Sequence, residues 1–251
     1  MAAVNGTVDA QGIAHLELNR PEVRNAINLE VVRGVAQHLD AWAQDPAVKV
    51  VVLSGAGGKA FAGGADIGEL RARTHKEAFF AVNGTMFQKV EDFPRPVIAA
   101  IDGFALGGGL ELALACDLRV ASKSAKVGLP EVTLGIYPAA GGTWRLPRVV
   151  GLGRAKDLVF TGRILDAEEA FSIGLFERLV EADALGAAKA LAAEIARNDT
   201  LAVQVAKVSL SALAKGGEPS SIERLAQALL FDSPEKHARM TAFLEKKAKK
   251  T

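Results

Sequence analysis

"GFALGGGLELALACD" (residues 103–117) places one carboxylate, Glu111, in a run that from Gly103 to Cys116 is otherwise glycine and apolar side chains. Three consecutive glycines, Gly107 to Gly109, open it, and Leu110 to Cys116 read as a helix. One turn from Glu111 stand Gly107, Gly108, Leu114 and Ala115. None is polar, so Glu111 does not belong to a solvated helix face. An ionised carboxylate in such a place is costly unless something compensates it. Two readings stay open from this stretch alone. Glu111 is either a structural group, alone at a gap in the core or paired with an arginine from elsewhere, or an acid–base group in a site poor in water.

Working outward, "RPVIAAIDG" before this stretch and "VKVVVLSG" (48–55) are short apolar runs, as in strands buried on both faces. "GIAHLELN" (12–19) and "LRVAS" (118–122) are further strands. Residues 28–44 set Val31, Val32, Val35, Leu39 and Trp42 at helical spacing behind Asn28, a natural cap. "DIGELRAR" and "KEAFFAVNGTMFQKVEDF" (76–93) each read as one helix. Strands alternating with helices predict an α/β fold with parallel pairing. After about residue 183 four helical segments follow without a strand: "DALGAAKALAAEIARN", "TLAVQVAKVSLSALAKG", "SSIERLAQALLFD" and "PEKHARMTAFLEKKAKK". The chain therefore divides into a core, 1–182, and a helical region, 183–251.

Composition narrows the function classes. Among 251 residues the net charge is +1, so no broad attraction to nucleic acid or to a membrane surface is implied. One cysteine, Cys116, excludes an internal disulfide and suits a reducing compartment. No basic start followed by an apolar segment marks a secretory signal, and no apolar run is long enough for a membrane span. The expected location is the cytoplasm. Motifs for other chemistries are missing. Leu112 stands where a dinucleotide fingerprint needs its third glycine, and Ala60 replaces the hydroxyl residue of a phosphate loop. There is no G-x-S-x-G elbow. His15, His38, His75 and His237 are scattered without metal-ligand spacing, so no metal is expected.

Two other stretches carry the remaining chemistry. "KAFAGGADIGEL" (59–70) sets Ala62, Gly63, Gly64 and Ala65 before a helix opening at Asp66. Small residues admit a ligand close to the backbone, and N–H groups at a helix start favour negative charge. The Gly107 to Gly109 turn has the same layout. Two such turns on neighbouring strands aim two N–H groups at one oxygen, an oxyanion hole. "KVGLPEVTLGIYPAAGGTWRLPR" (126–148) then brings Glu131 after a proline, a strand-like apolar run, and another small-residue turn from Ala139 to Gly142. Two carboxylates beside an oxyanion hole suit the addition or removal of water next to a polarised carbonyl.

Together with "LNRPEVRNAI" (18–27) and "MTAFLEKK" (240–247), these motifs resemble the crotonase superfamily, the enoyl-CoA hydratase/isomerase fold, over nearly the whole chain. The resemblance implies a spiral of ββα units with a C-terminal helical region for oligomerisation. It also implies an acyl-CoA thioester substrate, with coenzyme A part of that substrate and no separate cofactor. Residue by residue, it implies an oxyanion hole at Ala65 and Gly108 and catalytic glutamates at Glu111 and Glu131. Coenzyme A would lie along Ala62, Asp66 and Ile67 and along Glu22, Val23 and Arg24. Phe231, Phe243 and Lys246 would close over it, often from an adjacent subunit of a homotrimer or homohexamer. Isomerases of the family typically keep only the carboxylate matching Glu131, so two glutamates favour a hydratase. The chain departs from the pattern at Ala139, often a glycine whose N–H helps hold the water or hydroxyl, at Glu22, often basic, and at Trp144, often glutamine. Arg24 is then the cation left for the phosphates. A 3-methylglutaconyl-CoA hydratase and a Δ3,Δ2-enoyl-CoA isomerase are the alternative activities. An RNA-binding relative is disfavoured, because the helix from Asn28 carries only Arg33 and His38 as basic residues. Arg71, Arg73, His75 and Lys76 follow the oxyanion turn and are candidates to meet a carboxylated acyl group, or else form a solvated loop.

Overall fold

The computed structural model describes residues 2–248. The chain opens with an antiparallel hairpin, β1 (Val4–Val8) and β2 (Ile13–Leu18), followed by α1 (Leu29–Gln44). Asn28 accepts the Val31 N–H at 2.9 Å, a cap of the kind that stabilises by ~1 kcal/mol. Val31, Val35, Leu39 and Trp42 form the buried stripe of α1.

Three winding units follow, each a long strand, a short strand and helix. The first is β3 (Val50–Gly55), β4 (Ala60–Ala62), α2 (Ile67–Ala72), α3 (His75–Phe79) and α4 (Val82–Glu91). The second is β5 (Val97–Ile101), β6 (Phe104–Leu106) and α5 (Gly108–Ala115). The third is β7 (Leu118–Ser122), β8 (Lys126–Gly128), a 3₁₀ turn at Pro130–Leu134, α6 (Gly142–Val150) and α7 (Leu152–Thr161). Then come β9 (Ile164–Asp166), α8 (Ala167–Ser172) and β10 (Arg178–Val180). The helices α9 (Ala184–Ala196), α10 (Thr200–Ala214), α11 (Ser220–Phe231) and α12 (Pro234–Ala248) complete the chain.

The five longer strands and the three-residue β10 form one sheet in the order β1-β2-β3-β5-β7-β10, parallel from β2 onward, and the other short strands form a second, β4-β6-β8-β9. Parallel strands covered on both faces need continuous apolar runs, and β3 and β5 supply them. Val51 and Leu53 join the large core under α1, α4 and α5, while Val50, Val52, Ile98 and Ala100 face α9. In the second sheet Ala62 lies beside Ala105 and Ala105 beside Val127. That register brings the turns after β4, β6 and β8 side by side, and those turns carry the candidate site.

The structure departs from the sequence reading in three places. Residues 76–93 form two helices, because Ala81 takes a left-handed conformation (φ 44) that interrupts the winding. The run after Glu131 is a 3₁₀ turn closed by Gly135 (φ 73) instead of a strand, and Leu134, Ile136 and Tyr137 are exposed. The helical region expected from 183 does not begin as an appendage. α9 packs Ala184, Ala188, Leu191 and Ala192 onto the sheet, so the buried core continues to the end of that helix. Among the described residues none on α10, α11 or α12 is buried, and no helix is long and apolar enough to cross a membrane.

Candidate active site

Glu111 lies in the first turn of α5, only 3% exposed. Its Oε1 accepts the N–H groups of Ala140 and Gly142, each at 2.8 Å. The arginine that a core ion pair would need is close but engaged elsewhere, since Arg145 pairs with Glu91 at 2.7 Å. Burial pushes the Glu111 carboxyl above its ordinary range, against the two N–H bonds and the positive charge of Arg145. Glu131 sits in the 3₁₀ turn after β8, and its Oε2 is buried without a partner. Burial, with the negative charge of Glu111 adding to it, pushes the Glu131 carboxyl up to about 7, although a backbone N–H bond opposes the shift.

The glycine turn packs closely against Glu131, β4 and Ala65. Gly107 has φ 51, and a Cβ there would lie 3.0 Å from Glu131 Oε1. A Cβ on Gly109 would lie 2.0 Å from the Ala62 carbonyl, so only glycine lets α5 start against β4. A Cβ on Gly108 would lie 3.3 Å from the Ala65 nitrogen, which brings the two expected oxyanion positions together. Gly108 opens α5, where the N–H has no partner within the helix. Ala65 bridges Ile27 through its neighbours: Ile27 N–H donates to Gly64 O at 2.8 Å and Asp66 N–H to Ile27 O at 3.0 Å. In a parallel bridge of this form the N–H of Ala65 itself points away from Ile27.

The positions expected along coenzyme A are partly gathered. The turn at residues 21–24 rests against the glycine turn after β4, with Gly63 N–H donating to Arg24 O at 2.8 Å. Asp66 caps α2 by accepting from Gly68 and Glu69 N–H groups. Ala62 is buried on β4 beside them, and Val23 and Ile67 are exposed. Phe231 is exposed on α11, with Lys236 Nζ 4.5 Å from its ring centre, and Phe243 and Lys246 are exposed on α12. α11 packs on α10, and Arg239 of α12 donates to Arg197 O at 3.0 Å, just past the end of α9. The start of α9 meets Asp102, after β5, through the Ala184 N–H at 3.4 Å.

At Ala139 φ is not positive, so alanine fits the backbone there. The N–H groups that reach Glu111 belong to Ala140 and Gly142, two positions that sequence reasoning missed. Its only trace was the small-residue turn itself. Arg71, His75 and Lys76 are exposed and Arg73 half-exposed, beside Phe79 and Phe80, which are also exposed.

The fold and the paired carboxylates over glycine turns are those of an acid–base enzyme. The chain belongs to the enoyl-CoA hydratase/isomerase family, whose model matches residues 9–250. It is 41% identical over 244 residues to a crotonyl-CoA hydratase of Syntrophomonas wolfei, covering 94% of this chain and 92% of that one. It is 38% identical to a short-chain-enoyl-CoA hydratase of Clostridium acetobutylicum, covering 94% and 92%. The crystal structure of enoyl-CoA hydratase from Bacillus anthracis superposes with a TM-score of 0.91 at 36% identity, covering 97% of this chain and 96% of that one.

Proposed function

We propose that this chain is an enoyl-CoA hydratase that adds water reversibly across a 2-enoyl-CoA to give the 3-hydroxyacyl-CoA. The observation that carries the mechanism is the split between the two glutamates. Glu111 is held by two N–H groups, while Glu131 keeps a buried, unpartnered oxygen and a carboxyl near neutrality. Two carboxyl groups in such different hydrogen-bonding environments suit one as base and the other as acid. Glu111 takes a proton from water as the oxygen bonds to Cβ. Glu131 gives a proton to Cα on the same face. The negative charge that develops on the thioester oxygen is met by the Ala65 and Gly108 N–H groups. Both protons balance: the substrate gains H and OH, and exchange between the carboxyls and solvent resets the pair.

Relatives named for crotonyl and short-chain substrates support a short acyl group. Glu22, Val23, Arg24, Ala62, Asp66 and Ile67 would carry coenzyme A, and the Ala139 N–H would help hold the water or hydroxyl. We further infer a cytoplasmic homotrimer or homohexamer in which Phe231, Phe243 and Lys246 serve a neighbouring subunit's site.

The test is loss of enoyl absorbance with crotonyl-CoA, run beside isomerisation of a 3-enoyl-CoA. Each positioned acid or base contributes ~10²–10⁴-fold, so Glu111→Gln and Glu131→Gln should each lower kcat at least ~10²-fold with small changes in KM. Near-normal hydration by Glu111→Gln would sink the two-glutamate mechanism. Double-bond migration that survives in Glu111→Gln but not in Glu131→Gln would make the chain an isomerase.

A further inference from the structure

Arg145 is buried in the first turns of α6, and its guanidinium is committed in several directions. Nη1 donates to Ala140 O at 2.9 Å and Nε to Glu91 Oε2 at 2.8 Å. Nη2 donates to Gln88 Oε1 at 3.2 Å and lies 2.7 Å from Glu91 Oε2. The Trp144 ring covers the guanidinium at 4.0 Å. Glu91 and Gln88 both belong to α4, so Arg145 ties the 139–142 turn to a helix from another winding unit. The packing is continuous there, because a Cβ on Gly84 of α4 would lie 3.6 Å from Ala140 Cα. The clamped turn is the one whose Ala140 and Gly142 N–H groups hold Glu111 Oε1.

Stability alone does not account for this arrangement. A buried ion pair is often no better than well-packed apolar side chains of the same volume. What a guanidinium adds is a rigid fork that fixes several acceptors at once, with a permanent charge. Here the acceptors are one carbonyl of the turn and two side chains of α4.

We propose that Arg145, braced by Glu91 and Gln88, is a positioning residue for hydration. It fixes the 139–142 turn so that two N–H groups meet the Glu111 carboxylate. The role in turnover rests on the hydratase reading above; the effect on the Glu111 carboxyl does not. The charged groups around Glu111 are Arg145 from α6 and Glu131 from the turn after β8. Glu91 stands behind Arg145 on α4, with Arg148 at 3.7 Å beyond it.

The experiment compares Arg145→Met, Arg145→Lys and Glu91→Gln by two readouts. One is the pH profile of crotonyl-CoA hydration. The other is the carboxyl titration of Glu111, followed by carbon NMR in glutamate-labelled protein and assigned with Glu111→Gln. A misplacement of about 1 Å in a catalytic group can cost about 10²-fold, so Arg145→Met should lower kcat by up to about that factor while KM moves little. Loss of a nearby positive charge and of ordered N–H donors should raise the Glu111 titration, and with it the acid limb of the rate, by about one pH unit. Glu91→Gln keeps an acceptor for Nε but removes the opposing charge, so its limb should move to lower pH. Arg145→Lys keeps the charge, so its limb should stay near the wild type while kcat recovers only in part. A stability loss in Arg145→Met with kcat and the Glu111 titration unmoved would overturn the proposal. Where Arg145→Met does not fold, an unmoved titration in Glu91→Gln overturns it instead. A wild-type chain that fails to hydrate crotonyl-CoA would refute the hydratase reading, and the titration would still decide the positioning role.

Discussion

Glu131 keeps Oε2 buried without a partner, while Glu111 gives Oε1 to two N–H groups at 2.8 Å. The fold therefore disfavours the ionised form of Glu131 more than its ordinary value of 4.5 allows, and the carboxyl rises to about 7. Because the folded-state value is the higher one, the neutral carboxyl favours folding below pH 4.5, and that contribution is lost as pH rises from 4.5 through about 7. Glu131→Gln, neutral at every pH, should melt above the wild type at pH 8 and close to it at pH 4.5. Calorimetry at the two pH values checks this, and equal melting points at pH 8 would contradict it. Activity should follow the same group. If Glu131 delivers the proton to Cα, kcat/KM for hydration should decline above the value of the coupled pair, near 7. A stopped-flow pH series reads that alkaline limb. Its persistence in the residual activity of Glu131→Gln would assign it to another group. Glu111 was legible in the sequence because a carboxylate amid apolar neighbours is conspicuous without knowledge of the fold. Its holders, Ala140 and Gly142, were not, because a backbone N–H has no residue signature and both lie about thirty positions away along the chain.

At the scale of elements, what could be read depended on length. β2, β3, β5, β7 and α1 each have enough residues to show a period, and their sequence patterns matched them. β4, β6, β8 and β9 have three residues each, too few for any period, so the second sheet stayed invisible. The break between α3 and α4 was hidden for another reason. Ala81 is a good helix former, so nothing in the sequence marks its left-handed conformation (φ 44). The glycine turn between β6 and α5 was legible as a motif, and the structure supplies its steric reason at Gly109. A methyl group there meets the Ala62 carbonyl of β4 at 2.0 Å, and neither backbone can yield cheaply. Gly109→Ala should cost on the order of 1–3 kcal/mol of stability and push Gly108 away from Ala65. Misplacing one oxyanion donor costs ~10²–10³-fold in kcat, so crotonyl-CoA hydration should fall by at least ~10²-fold. Gly153→Ala makes a fair control, since a Cβ there meets nothing within 4 Å. Comparable activity of Gly109→Ala and Gly153→Ala would show that the close approach to β4 does not position the turn.

For the whole molecule, the run of four C-terminal helices was legible, but the packing of the first of them on the sheet was not. α9 is alanine-rich, with apolar residues all round, and nothing in its sequence shows that it meets a sheet whose strands β3 and β5 lie more than eighty positions earlier. The three helices that remain after α9 present an imbalance that a lone chain does not resolve. Leu225 is 76% exposed on α11 and Phe243 69% exposed on α12, with Leu229, Met240 and Leu244 also exposed. Soluble monomers rarely leave contiguous apolar surface of this kind open to water. Closed symmetric assembly is the usual way such surface is covered. The expected state is a homotrimer, or two trimers paired. Light scattering at micromolar concentration should give three or six chain masses. Leu225→Asp with Leu229→Asp would set charges on exposed positions of α11, a helix with no buried residue that packs on α10. That variant should shift the mass toward one chain while leaving the core folded by circular dichroism. If Phe231, Phe243 and Lys246 act across subunits, KM for crotonyl-CoA should rise with dissociation more than kcat falls. A wild-type chain that scatters as a stable monomer at that concentration would count against assembly.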